Sequence, residues 1–358
     1  MALELAVLNA QYEGAYADFL TSCPSAMLYH SLAYRRFLKD FLPSNAQDYY
    51  LLAIENSQLV GALPTFLVDG PLGTVLNSLP FFGSHGSILL SKDANPETAS
   101  FLANALMDLC ITQSIAFATV IDTPFITNEE HFQRALGFQY QDQRVGQITT
   151  LPQEKEAEKI NESLLTLYHQ KTRNIVRKAL RSSLAFGYDQ SPDTLDVLHK
   201  LHEINILGIG GIAKPKSFFE TIARQFEADK DYRIYTARTE DNEIVCALLL
   251  LYFKDMVEYF VPATAERWRS AQPLSALIYI AMRDAVLERS ARTWNWGGTW
   301  LTQDGVYHFK SRWGTTDHLY KYYTRVFRDE QRLHSVTQQS LLQGYPWFYT
   351  VPFSVLEK

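Results

Sequence analysis

Apolar residues recur along this chain with two spacings, and the switching between them predicts a mixed helix-and-sheet protein. In the first half the pattern predicts a strand near Leu5, helices at 14–22 and 31–41, a hairpin at 49–68 and a loop-rich stretch to Leu90. Helix 95–112, strand 117–121, helix 128–136 and strand 146–151 follow. The second half reads as helices 161–183, 192–206 and 216–228, strands 232–239, 243–253 and 256–262, helix 273–290, strand 293–297, helix 305–313, strand 317–327 and a helical tail. Between the halves the polar stretch 153–162 (QEKEAEKINE) is the expected linker. The longest apolar run, Ile244 to Phe253 (IVCALLLLYF), has about half the ~20 residues a membrane-spanning helix needs, so it reads as a buried strand.

The two halves repeat each other. AIENSQLVGAL from Ala53 and ARTEDNEIVCALL from Ala237 each give an apolar strand, a polar turn and a second apolar strand, with one extra residue in the later copy. Further along each half, FQRALG (Phe132 to Gly137) and FKSRWG (Phe309 to Gly314) share F-x-x-x-x-G at a helix end, where glycine suits the left-handed position after the last turn. Both pairs are separated by about 180 residues, in the same order. The expectation is an α+β protein of two homologous domains, 1–152 and 153–330, with a helical tail at 331–358 packing back on them.

Composition agrees with this picture and narrows the partners. With 358 residues the chain is long enough for about two domains of ~150. Apolar residues at 47% and charged residues at 20% exclude a disordered chain. The formal net charge of −6 argues against a broad DNA-binding face, though a local basic groove remains open. Cys23, Cys110 and Cys246 are odd in number and scattered, which points to buried thiols and away from disulfides or zinc. His199 and His202 have no third ligand in metal spacing, so no metal site is expected. The first residues lack the features of a secretory signal, and a cytoplasmic location with no membrane span is the expectation.

Four stretches could carry chemistry. Residues 167–183 (LYHQKTRNIVRKALRSS) hold Lys171, Arg173, Arg177, Lys178 and Arg181 without an acid. At ~100° per residue, Arg173, Arg177 and Arg181 fall within about 80° of one another, opposite Val176, Ala179 and Leu180. Such a face is either a solvated surface or a wall for phosphates. Residues 267–273 carry Arg267 and Arg269 into a helix opening at Pro273, and a helix start favours anions. Asn295 to Gly314 combines Gly297 and Gly298, flanking tryptophans, and a helix bearing Tyr307, Phe309, Lys310 and Arg312. There Lys310 could stabilise an oxyanion or a phosphate, and Tyr307 could relay a proton. The fourth stretch, Asn77 to Ser87 (NSLPFFGSHGS), has the glycine and ring density of a substrate-lining loop or of a tight turn.

In order, LVGALP, SLPFFGSHG, R-N-x-x-R-K-A (Arg173 to Ala179), W-N-W-G-G and G-V-Y-H-F-K-S-R-W-G (Gly305 to Gly314) resemble the Fem-type transferases, which build peptidoglycan cross-bridges, and their relatives in the GNAT acyltransferase superfamily. The resemblance spans about residues 25 to 325. It implies two tandem GNAT-like domains, with the donor site in the second, and no tightly bound cofactor. The co-substrate it implies is acyl-CoA or an aminoacyl-tRNA entering by its acceptor end. An amine acceptor, a small molecule or a cell-wall or polysaccharide precursor, attacks directly, with no covalent enzyme intermediate. By the same resemblance Lys310 and Phe309 lie by the donor carbonyl and phosphates, with Arg173, Arg177, Lys178 and Arg312 holding phosphates. Phe81, Phe82, His85, Trp296 and Trp300 then line a groove between the domains. Two positions depart from the family: Asn295 stands where relatives often have Asp, and Leu207 with Gly208 where an arginine is expected. The alternative is a binding module that keeps the fold without catalysis.

Overall fold

In the computed structural model, which describes residues 2–81, 85–328 and 330–356, both predicted hairpins form and both carry the same irregularity. Leu51–Glu55 pairs antiparallel with Gln58–Leu63, and the register slips between Ala53 and Ile54, leaving Val60 as a bulge. Tyr232–Arg238 pairs with Ile244–Phe253, and the slip falls between Ala237 and Arg238, leaving Val245. Ala53 aligns with Ala237 in the repeat, and Val60 with Val245, so the two copies share a bulge as well as a sequence. The second shared element also holds. Gly137, after helix Glu129–Leu136, and Gly314, after helix Asp304–Ser311, both have left-handed φ, at 58° and 73°.

The chain forms two units, one of Met1–Arg144 with Leu319–Lys358, the other of Val145–His318. The expected linker is therefore not the boundary. Glu156 leads into helix Ala157–Leu167, whose Ile160 and Leu164 are buried in the second unit. The chain instead passes from one unit to the other inside strand Tyr140–Thr150 and returns inside strand Thr315–Val326. Residues 145–152 thus belong with the second unit and 319–330 with the first.

In the first unit, Gly73–Ser78 runs antiparallel to Phe66–Gly70 and parallel to Ile115–Ile121. Tyr322 to Val326 pairs antiparallel with the far side of Ile115–Ile121. Helix Thr98–Thr112 buries Leu102, Leu106 and Cys110, one turn apart, in a core with Leu51, Leu63, Ile115 and Phe132. The tail belongs to this unit. Tyr345 Oη accepts from Leu72 N–H at 2.6 Å and donates to Gly73 O at 2.9 Å. Asn77 and Tyr349 exchange two hydrogen bonds of 2.7 Å.

In the second unit, Ala185–Tyr188, Tyr232–Arg238, Ile244–Phe253 and Met256–Thr264 form an antiparallel run. Helix Pro273–Arg289 then crosses over to Thr293–Trp300, which returns parallel to Met256–Thr264. This helix is buried on most of its circumference, against Leu248, Leu250, Val257 and Trp294. The predicted helix 161–183 is two helices, Ala157–Leu167 and Gln170–Ala179. The break comes where His169 Nδ1 accepts from Lys171 N–H at 3.2 Å and caps the second helix, while the Tyr168 ring enters the core 4.8 Å from that of Trp313.

Cys23, Cys110 and Cys246 are buried and outside any disulfide, and among the described residues no helix is long and apolar enough to cross a membrane.

Candidate functional site

The second unit contains a fork in its sheet. Met256–Thr264 and Thr293–Trp300 pair only through Met256, Val257 and Glu258 opposite Thr293, Trp294 and Asn295, beyond which the pairing stops. Open parallel strands expose backbone at their carboxyl ends, which is where ligands enter such sheets. A buried pair closes the fork: Asn295 Nδ2 donates to Glu258 Oε2 at 2.8 Å, and Asn295 Oδ1 accepts from Gly297 N–H at 2.9 Å. The residues just past the fork on one arm are Trp296, Gly297 and Gly298, with Gly297 at φ 71°.

Lys310 secures that arm. Its Nζ donates to Thr299 Oγ1 at 2.9 Å and to the carbonyls of Gly297 and Gly298 at 3.3 and 3.4 Å. Burial pushes the ammonium down to about 8. A helix-borne amine held by three oxygens of one neighbouring strand positions that strand. Tyr307, one turn earlier on the same helix, donates to Asp317 Oδ2 at 2.7 Å, and this bond raises its pKa. The half-exposed Phe309 ring stands edge-on to Trp296 and Trp313, both at 6.2 Å.

The other arm leads through the turn Glu266–Ala271 to Pro273, the first residue of its helix. There a cleft of about 520 Å³ is lined by Asn174, Arg177, Lys178, Arg181, Ser182 and Ala271. Helix Gln170–Ala179 buries Thr172, Val176 and Ala179, which leaves Arg177 and Lys178 exposed on its outer face. Two of the four stretches singled out in the sequence, the basic helix and the turn before Pro273, therefore meet at one cleft.

Other predicted residues lie elsewhere. Arg173 turns back and donates to the carbonyls of Leu165 and Thr166, both at 3.4 Å, closing the end of helix Ala157–Leu167. Arg312 is exposed, and its carbonyl accepts from His169 N–H at 2.9 Å. Trp296 is a core residue: its ring packs 4.9 Å from Tyr259 and its Nε1 donates to Thr149 Oγ1 at 2.9 Å. Trp300 is half-exposed at the end of its strand. In the first unit, Phe81 is buried among Phe37, Phe41 and Trp347, and His85 is fully buried, so neither side chain lines an open surface. Phe82 lies outside the described residues. The reason is common to these rings: apolar mass near a glycine loop serves packing as readily as a groove. The sequence reading passed over the Glu258–Asn295 pair and the lining residues Asn174, Ser182 and Ala271. Arg181 was legible from its i, i+4 spacing to Arg177.

Residues 170–311 match a family model described as acetyltransferase (GNAT) domain. No curated protein matches the chain as a sequence. Among solved structures, FemX is similar with a TM-score of 0.70 at 16% identity, over 95% of this chain and 99% of that one. A tandem GNAT protein from the clavulanic acid biosynthesis pathway is similar with a TM-score of 0.55 at 12% identity, over 90% and 98%. The C-terminal domain of a putative lysylphosphatidylglycerol synthetase from Agrobacterium fabrum is similar with a TM-score of 0.56 at 12% identity, over 96% and 100%. The stretch matching the GNAT model runs from the start of the basic helix to the end of the helix bearing Lys310, and contains both the fork and the cationic cleft. The chain thus has the mixed helix-and-sheet fold of tandem GNAT proteins, with a GNAT acetyltransferase domain match over its second unit.

Proposed function

We propose that the protein is an N-acyltransferase that moves an acyl or aminoacyl group from a phosphate-bearing carrier, acyl-CoA or aminoacyl-tRNA, to the amine of a small-molecule, cell-wall or polysaccharide precursor. The observation that carries this is the cleft at Arg177, Lys178 and Arg181, set beside the turn that opens helix Pro273–Arg289 at the mouth of a forked sheet. Three cations and a helix start form an anion site, which suits the carrier's phosphates. The acyl carbonyl then lies along the open strand edge. The amine nitrogen attacks the carbonyl carbon, the carrier's C–S or C–O bond breaks, and the amine's proton passes to the departing thiolate or alkoxide, directly or through water. Lys310 acts in this reading as a positioning residue for Gly297 and Gly298.

The test is label transfer. Purified protein is incubated with a panel of labelled acyl-CoAs and with charged tRNA, each beside amine acceptors. Transfer from one donor class supports the reading and selects the carrier. Donor binding without transfer to any acceptor marks a binding module on the same fold, and neither binding nor transfer overturns the reading.

A further inference from the structure

The second unit carries an apolar surface that the donor chemistry leaves unused. Helix Pro192–Leu207 buries Leu195, Leu198 and His202 along one face. Ile204 and Leu207 stand on the opposite side, one turn apart, where a surface helix normally places polar residues. The chain then turns through Gly208, Gly210 and Gly211 and presents Ile209 and Ile212. All four side chains are between 61% and 78% exposed, and Ile209 is the most exposed large apolar residue among those described. From Ile204 to Ala213 the sequence has no charged residue. Contiguous exposed apolar side chains of this kind mark a surface that meets something other than water.

Backbone bonds hold the patch in shape. Gly208 N–H donates to Ile204 O at 3.0 Å, Gly210 N–H to Leu207 O at 3.0 Å and Gly211 N–H to Ile206 O at 2.9 Å, with Gly210 at a left-handed φ of 72°. Lys214 N–H donates to His202 Nε2 at 3.1 Å and returns the loop to its helix. Asn205 accepts from Thr264 N–H at 3.1 Å and donates to Thr264 O at 2.9 Å. The patch is thereby fixed beside the carboxyl end of strand Met256–Thr264, the end toward which the fork opens. A pocket ligand, a protein partner and a lipid surface make different demands of such a patch. Ligand pockets are concave, whereas these side chains protrude. A stable protein interface takes about 800 Å² from each partner and is anchored by aromatic residues or arginine. Four aliphatic side chains supply a smaller area, and residues 203–213 contain neither kind of anchor. Hydrocarbon requires only apolar side chains on a turn, with cations at their border to meet the headgroups. Lys200, exposed one turn before Ile204, and Lys214, at the far end of the loop, flank the patch, against the single acid Glu203.

We propose that Ile204, Leu207, Ile209 and Ile212 dock the protein on the surface of a lipid bilayer containing anionic lipid, entering the boundary between headgroups and acyl chains without spanning it. Docking there brings the mouth of the fork to the bilayer surface. The docking surface does not rest on the acyltransfer reading.

The test is co-sedimentation of the full chain, without any acyl donor, with vesicles of phosphatidylcholine alone and of phosphatidylcholine mixed with phosphatidylglycerol. Expected is saturable binding to the mixed vesicles and weaker binding to phosphatidylcholine alone. Ile209→Ser combined with Ile212→Ser should weaken binding to the mixed vesicles at least about tenfold with no fall in Tm, because both side chains already face water in the free protein. Lys200→Glu should weaken binding to the mixed vesicles about fivefold and leave phosphatidylcholine binding unchanged. The proposal is overturned by a protein that stays in the supernatant with both compositions, or by a double variant that binds as the wild type does. Equal binding to the two compositions, or mixed-vesicle binding unchanged in Lys200→Glu, overturns the choice of an anionic surface. Light scattering on the same samples identifies the competing occupant: a wild-type dimer that the double variant converts to monomer, with no vesicle binding by either, makes the patch an interface between copies and overturns the proposal.

Discussion

Asn295 donates its side-chain amide to Glu258 at 2.8 Å, at the last paired position before two parallel strands part. The same Asn side chain accepts from Gly297 N–H, so one residue ties both arms of the fork. Asn295→Leu should therefore destabilise the fold by about 2–3 kcal/mol, the range for losing a hydrogen bond to a charged or buried group, read by urea unfolding. Asn295→Asp keeps the shape but places a second carboxyl against Glu258. One of two adjacent carboxyls then holds its proton in the folded state above the unfolded pKa near ~4, so folded protein binds more protons there and the variant loses stability as pH rises. Its deficit should be larger at pH 8 than at pH 5; an equal deficit removes the carboxyl contact from the account.

Lys310 gives a second pH dependence, of opposite sense. Its folded pKa of about 8 lies below the ~10.4 of an unfolded lysine. Between those values the unfolded chain binds more protons, so stability is lowest below pH 8, where the ammonium is buried, and rises toward pH 10.5. Relative to Lys310→Met, the wild type should gain on the order of 3 kcal/mol across that window by denaturant unfolding. Parallel curves for the two proteins show that the amine is not shielded.

The cations of the basic helix should separate by role. Arg177→Ala, Lys178→Ala and Arg181→Ala are each expected to raise the donor KM about 3–10-fold with little change in kcat, and more weakly at high salt. Arg173→Ala should leave the donor KM alone and lower stability by about 0.5–1 kcal/mol, because its guanidinium serves the end of helix Ala157–Leu167. A donor KM that moves with Arg173 but not with Arg177 reverses the assignment.

The paired glycines of the repeat differ in what surrounds them. At Gly137 the nearest atom to an added Cβ is 3.6 Å away, so Gly137→Ala carries only the left-handed strain, about 1 kcal/mol. At Gly314 the Cβ would lie 2.4 Å from Leu167 Cγ, so Gly314→Ala adds a clash and should exceed 2 kcal/mol. Thermal unfolding of the two variants decides the order.

The hairpins, their turn chemistry and the glycines after helices were legible because each is local: a strand, a polar turn and a left-handed residue leave their mark within a few positions. Even the shared bulge was implicit in the alignment of Val60 with Val245. What failed to show was set by distant partners. The helical period runs unbroken through Tyr168 and His169, and only Trp313 and the capping bond explain the break there. Lys310 read as a free cation because nothing in FKSRWG reveals that its ammonium reaches back to Gly297, Gly298 and Thr299. Glu258 and Asn295, 37 residues apart, become neighbours only through the crossover helix.

The first unit is assembled from two separated stretches of chain, with the whole of the second between them. Synthesis is vectorial, so every residue of Val145–His318 is made before the partners of Leu72, Gly73 and Asn77, which are Tyr345 and Tyr349. The second unit can thus complete its fold while the first is still missing a strand and its tail. A nascent chain of residues 1–318, held clear of the ribosome by an unstructured linker, should resist protease over 145–318 and remain cleavable upstream, an order of maturation written into the connectivity alone.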